Sequence, residues 1–301
     1  MIVYLHNSEI ERNRWDSCLN EIPHVRPYAF SWYLDNMSPG WEALVDDDYD
    51  AIFPMPCSSR FGIRYIATPV FLQQLGGFAP DKDAESVTAE FFDYIPEFYR
   101  LIDLCTGCGI NIHGYRVTVR SNYELDLSHP YGILQSNFTR HCLRNIEKAT
   151  RNSPELNHDI APAQLIALFR NNRGAEIRGI KQRDYDRLEK LMNYCIVNGR
   201  GRIIGVRTSG NRIIFGVFLV ETRGRITMLF VVNTPESRKM RTGYYVVSEL
   251  IKNFAATDTI LDFAGSSIPR VASFMESFGS VNIPFYRIYR NRLPLLIRYF
   301  K

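Results

Sequence analysis

Apolar residues fall into two periodicities along this chain, and the elements they predict alternate between them. Residues 203–207, 213–221 and 225–232 are apolar runs of strand length. They are separated by Ser209-Gly210-Asn211 and Thr222-Arg223-Gly224, so an antiparallel meander is expected. Residues 2–5, 41–45, 51–56, 116–120, 121–127 and 155–160 also read as strands. Helical spacing is expected over 14–21, 84–94, 162–170, 184–197 and 243–255; in the last, Val246, Val247, Leu250, Ile251 and Phe254 turn inward. Residues 98–104 fit either a strand or a short helix. One long helix is expected over Tyr131–Asn152, with Phe138, Cys142, Ile146 and Ala149 on one face. Arg140, Arg144, Lys148 and Arg151 fall on nearly the opposite face.

The most structured stretch is Leu261 to Gly279. Leu261 and Phe263 alternate as a strand, Gly265 permits a sharp turn, Ser266 or Ser267 caps a helix, and Pro269 suits its first turn. Ile268, Val271, Phe274 and Phe278 then bury one helical face. The free N–H groups of such a helix start attract anions.

Asp262-Phe263-Ala264-Gly265-Ser266, the mid-helix Phe274, Phe278-Gly279 and a following strand with Tyr286 and Tyr289 resemble the C-terminal signature of the FemABX-like proteins. These belong to the GNAT superfamily of N-acyltransferases and carry two GNAT-type domains in tandem. Ser136-Asn137, Arg140, Arg144-Asn145-Ile146 and Lys148-Ala149 resemble the family's interdomain helix. Tyr123-Glu124-Leu125-Asp126-Leu127 matches the strand before it. The resemblance implies an α/β (α+β) fold of two tandem GNAT-like domains with mixed, mostly antiparallel sheets. The expected division is 1–145 and 146–301. The implied activity is transfer of an acyl or aminoacyl group, from acyl-CoA or aminoacyl-tRNA, to an amine of a peptidoglycan precursor or another small acceptor. A different class stays open beside it: a non-catalytic protein that keeps the fold as a pocket for a nucleotide-sugar or peptide.

Length and composition agree with this picture. A chain of 301 residues has room for two domains, and 46% hydrophobic with 13% aromatic residues supplies ordinary cores. No apolar run reaches transmembrane length and no signal peptide is apparent, so a cytoplasmic, bacterial protein is expected. The net charge of +4 is mild; it suits CoA, UDP-sugars or tRNA without selecting among them. Among the six cysteines, Cys105-Thr106-Gly107-Cys108 has the CxxC form, but no second pair completes a zinc site, so free thiols and no metal are expected. The acidic run Asp46-Asp47-Asp48 reads as a solvated turn.

Acyl transfer to an amine needs a deprotonated amine, a donor held in line, and hydrogen bonds to the developing oxyanion. Asp262, at a strand end beside the anion-friendly turn, is the candidate catalytic carboxylate; its other reading is a turn cap. Ser266, Arg270 and Tyr286 accompany it as substrate contacts. By resemblance Trp32, Tyr33, Gln73 and Gln74 form a substrate wall in the first half, although each also reads as a core or loop-supporting residue. A donor-binding loop is expected at Arg238-Lys239-Met240-Arg241-Thr242-Gly243. Its leading Arg238 and final Gly243 match the GNAT pattern, while Arg241 replaces a glycine; with Lys239 it offers cations to an anion. The stripe Arg140, Arg144 and Lys148 is either a solvated face or a contact for tRNA or nucleotide phosphates. The resemblance also places a lysine after the mid-helix phenylalanine in tRNA-dependent members; this chain has Phe274-Met275.

Overall fold

The computed structural model of the chain describes residues 1–152, 154–175, 177 and 179–294. Its strands, in chain order, are β1 Val3–Leu5, β2 Glu42–Asp46, β3 Ala51–Met55, β4 Cys57–Arg60, β5 Ile63–Ala67, β6 Leu101–Thr106, β7 Arg116–Arg120 and β8 Tyr123–Asp126. They continue with β9 Leu156–Asn157, β10 Gly201–Arg207, β11 Ile213–Thr222, β12 Arg225–Asn233, β13 Ile260–Asp262, β14 Val281–Asn282 and β15 Phe285–Asn291.

The chain forms two compact units: Met1–Arg120 with the segment from Pro284, and Ser121–Ile283. The expected division after residue 145 falls within the helix Arg140–Thr150, inside the second unit. The chain also returns to the first unit at its end. There β15 lies between β6 and β7, with Ile288 opposite both Leu104 and Val117.

The first unit holds a three-stranded sheet, β1-β2-β3, and a five-stranded sheet, β4-β5-β6-β15-β7. A buried polar knot ties the two sheets. Glu42 on β2 accepts hydrogen bonds from the hydroxyls of Tyr4 (2.5 Å) and Tyr99 and from the Arg64 guanidinium of β5. The His6 ring lies 3.2 Å away. Burial alone would raise this carboxyl, but the hydroxyls of Tyr4 and Tyr99, His6 and Arg64 outweigh it and hold the value below the ordinary one. The knot therefore stabilises the fold above the ordinary carboxylate range and is lost as pH falls through the depressed value. In a melting series from neutral pH downwards, Glu42→Gln is expected to melt lower at pH 7 and to lose less on acidification below about pH 4.5. Parallel wild-type and variant curves would remove Glu42 from the acid transition.

The second unit is one seven-stranded sheet, β14-β8-β13-β12-β11-β10-β9. Its meander β10-β11-β12 forms where the turn residues place it. Central β11 is buried from Ile214 to Val220 except for exposures too small to matter, which is why its sequence is nearly continuously apolar. The core is built from β11, β12 and the helix Thr242–Phe254, with Phe263, Met275 and Phe278 joining from the C-terminal stretch.

One helical expectation needs correction. The helix expected over Tyr131–Asn152 is two helices, Tyr131–Ser136 and Arg140–Thr150. Thr139 breaks it: its N–H bonds the Ser277 carbonyl (2.9 Å), while its hydroxyl caps the new helix at Cys142 N (3.1 Å). The break lets Phe138 pack edge-on against Phe278 at 5.3 Å. Of residues 98–104, expected as strand or short helix, 101–104 lie in β6.

Candidate functional site

The strands at the centre of the second unit part company. β12 pairs with β11 over its full length, from Arg225 opposite Thr222 to Asn233 opposite Phe215. With parallel β13 it pairs only at Arg225, Ile226 and Thr227. Beyond Thr227 it leaves β13, and the register against β11 shifts: Leu219 faces Met228, but Phe218 faces Phe230. Leu229 is therefore a bulge residue, half-buried, at the point where the split opens. The extra residue of a bulge drops out of the ladder, so its backbone groups are available to a ligand.

Below the split lies a buried charge cluster. Arg225 Nη1 is 2.9 Å from Asp262 Oδ2 and 3.0 Å from Glu124 Oε1. Asn122 Nδ2 donates to Asp262 Oδ1 at 3.1 Å and to Glu124 Oε1 at 3.2 Å. Asp262 Oδ1 also receives the Ala264 N–H at 2.8 Å, and the residue has 0% exposure. This bond fixes the turn at Ala264 and Gly265, both in the left-handed region, with φ of 54° and 51°. Gly265 is required there: a Cβ would stand 2.3 Å from the Ser121 carbonyl oxygen. The structure thus gives Asp262 the turn-holding position, enclosed by partners and away from solvent.

Above the split, the segment expected to be a donor-binding loop is corrected. Pro235–Met240 is a helix, capped by the Thr234 hydroxyl accepting from Ser237 N at 3.2 Å. Arg238 and Lys239 lie exposed on it, and Arg238 Nη1 donates to the Asn233 carbonyl at 2.6 Å. Arg241 makes the joint in the left-handed conformation (φ 63°), and the helix Thr242–Phe254 begins after it with Thr242 and Gly243 buried. The N–H groups of that helix start remain the anion-attracting feature of the segment.

Tyr244 stands in the first turn of this helix. Its ring packs on Phe274 (4.8 Å) and Phe278 (5.8 Å) and meets His141 at 6.1 Å. Burial raises its hydroxyl above the ordinary value, with the Cys142 thiol adding to this; Arg241, Arg270 and a hydrogen bond with Asn145 act in the opposite direction. At neutral pH it is protonated, within the electrostatic reach of Arg241 and Arg270. The sequence pointed to Arg241 and Arg270 but not to Tyr244 or Asn145. The available signal was the position of Tyr244 one residue past Gly243, in a helix's first turn.

The remaining expected residues of the second unit divide. Ser266 accepts from Ile268 N at 3.1 Å and shapes the lead into the helix Pro269–Glu276, which has Pro269 first as expected, but Ile268 rather than a serine at the cap. Arg270 is exposed on that helix. Met275, where the resemblance places a lysine, faces the core. Arg140, Arg144 and Lys148 are exposed along one helix, while Arg151 pairs with Glu147 at 2.5 Å.

In the first unit, Trp32 packs with Tyr33 and Gln73 pairs with Gln74. Tyr33 is fully buried, packs 5.9 Å from Trp32 and 5.4 Å from Tyr28, and donates its hydroxyl to the Phe71 carbonyl. Two residues on, Gln74 Nε2 donates to Gln73 Oε1 at 2.8 Å. Gln74 is 3% exposed, and its own Oε1 has no hydrogen-bond partner. It faces Gly107 at the end of β6, where a Cβ would lie 2.9 Å from Oε1 and 3.9 Å from Arg26 Nη1. Glycine thus keeps open a small polar cradle between an amide acceptor and a guanidinium. Tyr286 flanks it, its ring against Gly109. Arg26, Tyr28 and Gly107 were not legible as site residues. Tyr286 proves to belong to this unit and not to the unit of Asp262.

No protein-family model matches the chain, and no curated protein does. Solved structures do match. FemX is 12% identical over 99% of this chain and 100% of its own, with a TM-score of 0.68. A conserved protein of unknown function from Bacteroides thetaiotaomicron is 12% identical over 96% and 99%, with a TM-score of 0.59. The C-terminal domain of a protein described as a lysylphosphatidylglycerol synthetase from Agrobacterium fabrum is 9% identical over 93% and 91%, with a TM-score of 0.55. The chain has a FemX-like fold.

In the split, β12 runs on from Met228 to Asn233 without β13 beside it. The CxxC pair does not share in it. Cys108 Sγ lies 3.2 Å from Thr88 Oγ1 and 3.4 Å from the Ala84 carbonyl, and burial raises both thiols. Among the described residues no His, Cys, Asp and Glu side chains group to hold a metal, and no helix is long and apolar enough to cross a membrane.

Proposed function

We propose that this chain is an N-acyltransferase that moves an acyl or aminoacyl group from an activated donor, a CoA thioester or an aminoacyl-tRNA ester, to an amine of a cell-envelope precursor or another small acceptor. The observation that carries this reading is the parting of β12 from β13 at a bulge, in the unit that also holds a helix start with no side-chain cap. In the reaction the amine nitrogen attacks the donor carbonyl, its oxygen becomes an oxyanion, and collapse breaks the bond to the leaving sulfur or oxygen; the amine's proton goes to solvent, and the proton given to the leaving group is replaced from solvent. The Leu229 N–H is the proposed oxyanion donor and the start of the helix Thr242–Phe254 the proposed seat of the donor's phosphates, with Arg241 and Arg270 beside it. Tyr244 is the proposed proton donor to the leaving group. Asp262 is a positioning residue, which holds the turn that borders the split. Trp32, Tyr33, Gln73, Gln74 and Tyr286 are the proposed acceptor contacts of the first unit. A cytoplasmic, bacterial setting and a peptidoglycan-precursor acceptor accompany this reading.

One observation favours the second reading, a pocket without turnover: a helix and the Arg241 side chain occupy the segment where a glycine loop would approach a diphosphate. Native mass spectrometry against acyl-CoAs and charged tRNA, followed by turnover with an amine panel, separates the two. The transferase reading expects stoichiometric donor binding and donor-dependent acylation of an amine. Binding without acylation establishes the pocket, and no binding of either donor class removes the proposal. If charged tRNA is the donor, Arg144→Ala with Lys148→Ala is expected to weaken binding more at low salt than at high salt. The slope of log affinity against log salt should fall by about 1.5 to 2. An unchanged slope makes the stripe an ordinary solvated face.

A further inference from the structure

The hairpin joining β4 to β5 breaks two rules at one residue. Arg60 faces Ile63 across it, so Phe61 and Gly62 alone make the connection. Both have positive φ, 52° and 74°. Such two-residue turns favour Asn-Gly, because an asparagine tolerates the left-handed region and a bulky ring is strained there. Phe61 is also 87% exposed. Neither backbone preference nor burial within the chain accounts for a phenylalanine at this tip.

We propose that this hairpin docks on an anionic lipid surface, with Phe61 entering the headgroup–acyl boundary and Arg60 meeting the lipid phosphates. The Arg60 guanidinium lies 5.2 Å from the Phe61 ring centroid, at the same tip. Further along the hairpin, Arg64 covers Phe98, itself 45% exposed, at 4.6 Å; its charge is committed to Glu42, which leaves Arg60 as the cation facing outward. A ring beside a guanidinium on a protruding turn is suited to an interface with an apolar side and an anionic side. A single ring on a convex tip offers far less than the roughly 1,200 Å² that a stable protein contact buries. The flanking Ser58, Ser59 and Ile63 carry no charge, so the tip lacks the row of cations that a nucleic-acid backbone requires. Surface docking of this kind needs no membrane-spanning helix, and it is independent of the proposed transfer chemistry.

The test is co-sedimentation of the full chain with phosphatidylcholine vesicles, with and without phosphatidylglycerol, for the wild type and Phe61→Asn. Asparagine suits the turn, so its melting temperature is expected to equal or exceed that of the wild type. The wild type is expected to bind the anionic vesicles and to bind neutral ones weakly. Phe61→Asn should reduce the partition coefficient by roughly tenfold or more. No binding of wild type to anionic vesicles, or equal binding by the two proteins, overturns the proposal. So does the opposite pattern, in which Phe61→Asn keeps vesicle binding and loses affinity for a single-stranded RNA oligonucleotide; that result assigns the ring to base stacking.

Discussion

Arg225→Met is expected to destabilise the second unit by about 3–5 kcal/mol, a large part of the roughly 5–15 kcal/mol that holds an ordinary domain together. Arg225 is 4% exposed and is the guanidinium between two carboxylates, Asp262 and Glu124, that are themselves 0% and 7% exposed. Removing it leaves two buried carboxylates without the guanidinium that stands between them. A urea titration of the wild type and variant, followed by circular dichroism, reads the loss directly. Asp262→Asn supplies the contrast. It keeps a group of the same shape beside Asn122 and Ala264 and leaves Arg225 paired with Glu124, so its loss of stability should be smaller than that of Arg225→Met. A cost within 1 kcal/mol for Arg225→Met would mean that water or side-chain movement relieves the cluster, and Asp262 would then regain its case as an accessible carboxylate.

That cluster marks the limit of what the chain's order of residues reveals. The strand–turn–helix at Leu261–Gly279 was legible because its features are local: alternation, a glycine and a proline at the helix start; the expected apolar face was legible only in part, since Ile268 is exposed and Phe278 lies past the helix. The meander was legible for the same reason. Asp262 looked chemical because its own neighbourhood is turn-like and anion-friendly. Its partners come from β12 and β8, and the closer of them, Arg225, is 37 residues away in sequence. Trp32, Tyr33, Gln73 and Gln74 were reached through resemblance; the structure pairs Trp32 with Tyr33, links Tyr33 to the Phe71 carbonyl and pairs Gln73 with Gln74. Their cradle stayed hidden because Gly107 comes from the end of β6, more than 30 residues beyond Gln74 in the chain. Some errors were avoidable. Thr234-Pro235-Glu236, with Arg238 and Lys239 after it, is a helix start with a cap, a first-turn proline, an acidic first turn and a basic last turn. Phosphate-loop expectation overrode that local signal. Thr139 likewise announced a cap inside the expected long helix.

Tyr244→Phe is expected to lower kcat by about 100-fold with little change in KM, if the leaving group is an oxygen ester. The substitution keeps the ring on Phe274 and Phe278 and removes only the hydroxyl, so folding should survive it. The size of the effect depends on the donor. A thiolate, with a pKa of about 8.5 for an ordinary thiol, leaves without much protonation, whereas a ribose alkoxide requires it. An acyl-CoA donor should therefore show a smaller loss than an aminoacyl ester in the same variant. Burial holds the Tyr244 hydroxyl above its ordinary value of 10.0, so the acid form persists through neutral and mildly alkaline pH. The wild-type rate should accordingly show no alkaline fall from this group below about pH 10, since loss of the acid form begins only as pH approaches the raised value. Comparing kcat for both donor classes in wild type and Tyr244→Phe tests the assignment and identifies the leaving group together. Equal rates for the two proteins with an ester donor would remove Tyr244 from the chemistry and leave it as packing for the helix that follows the split.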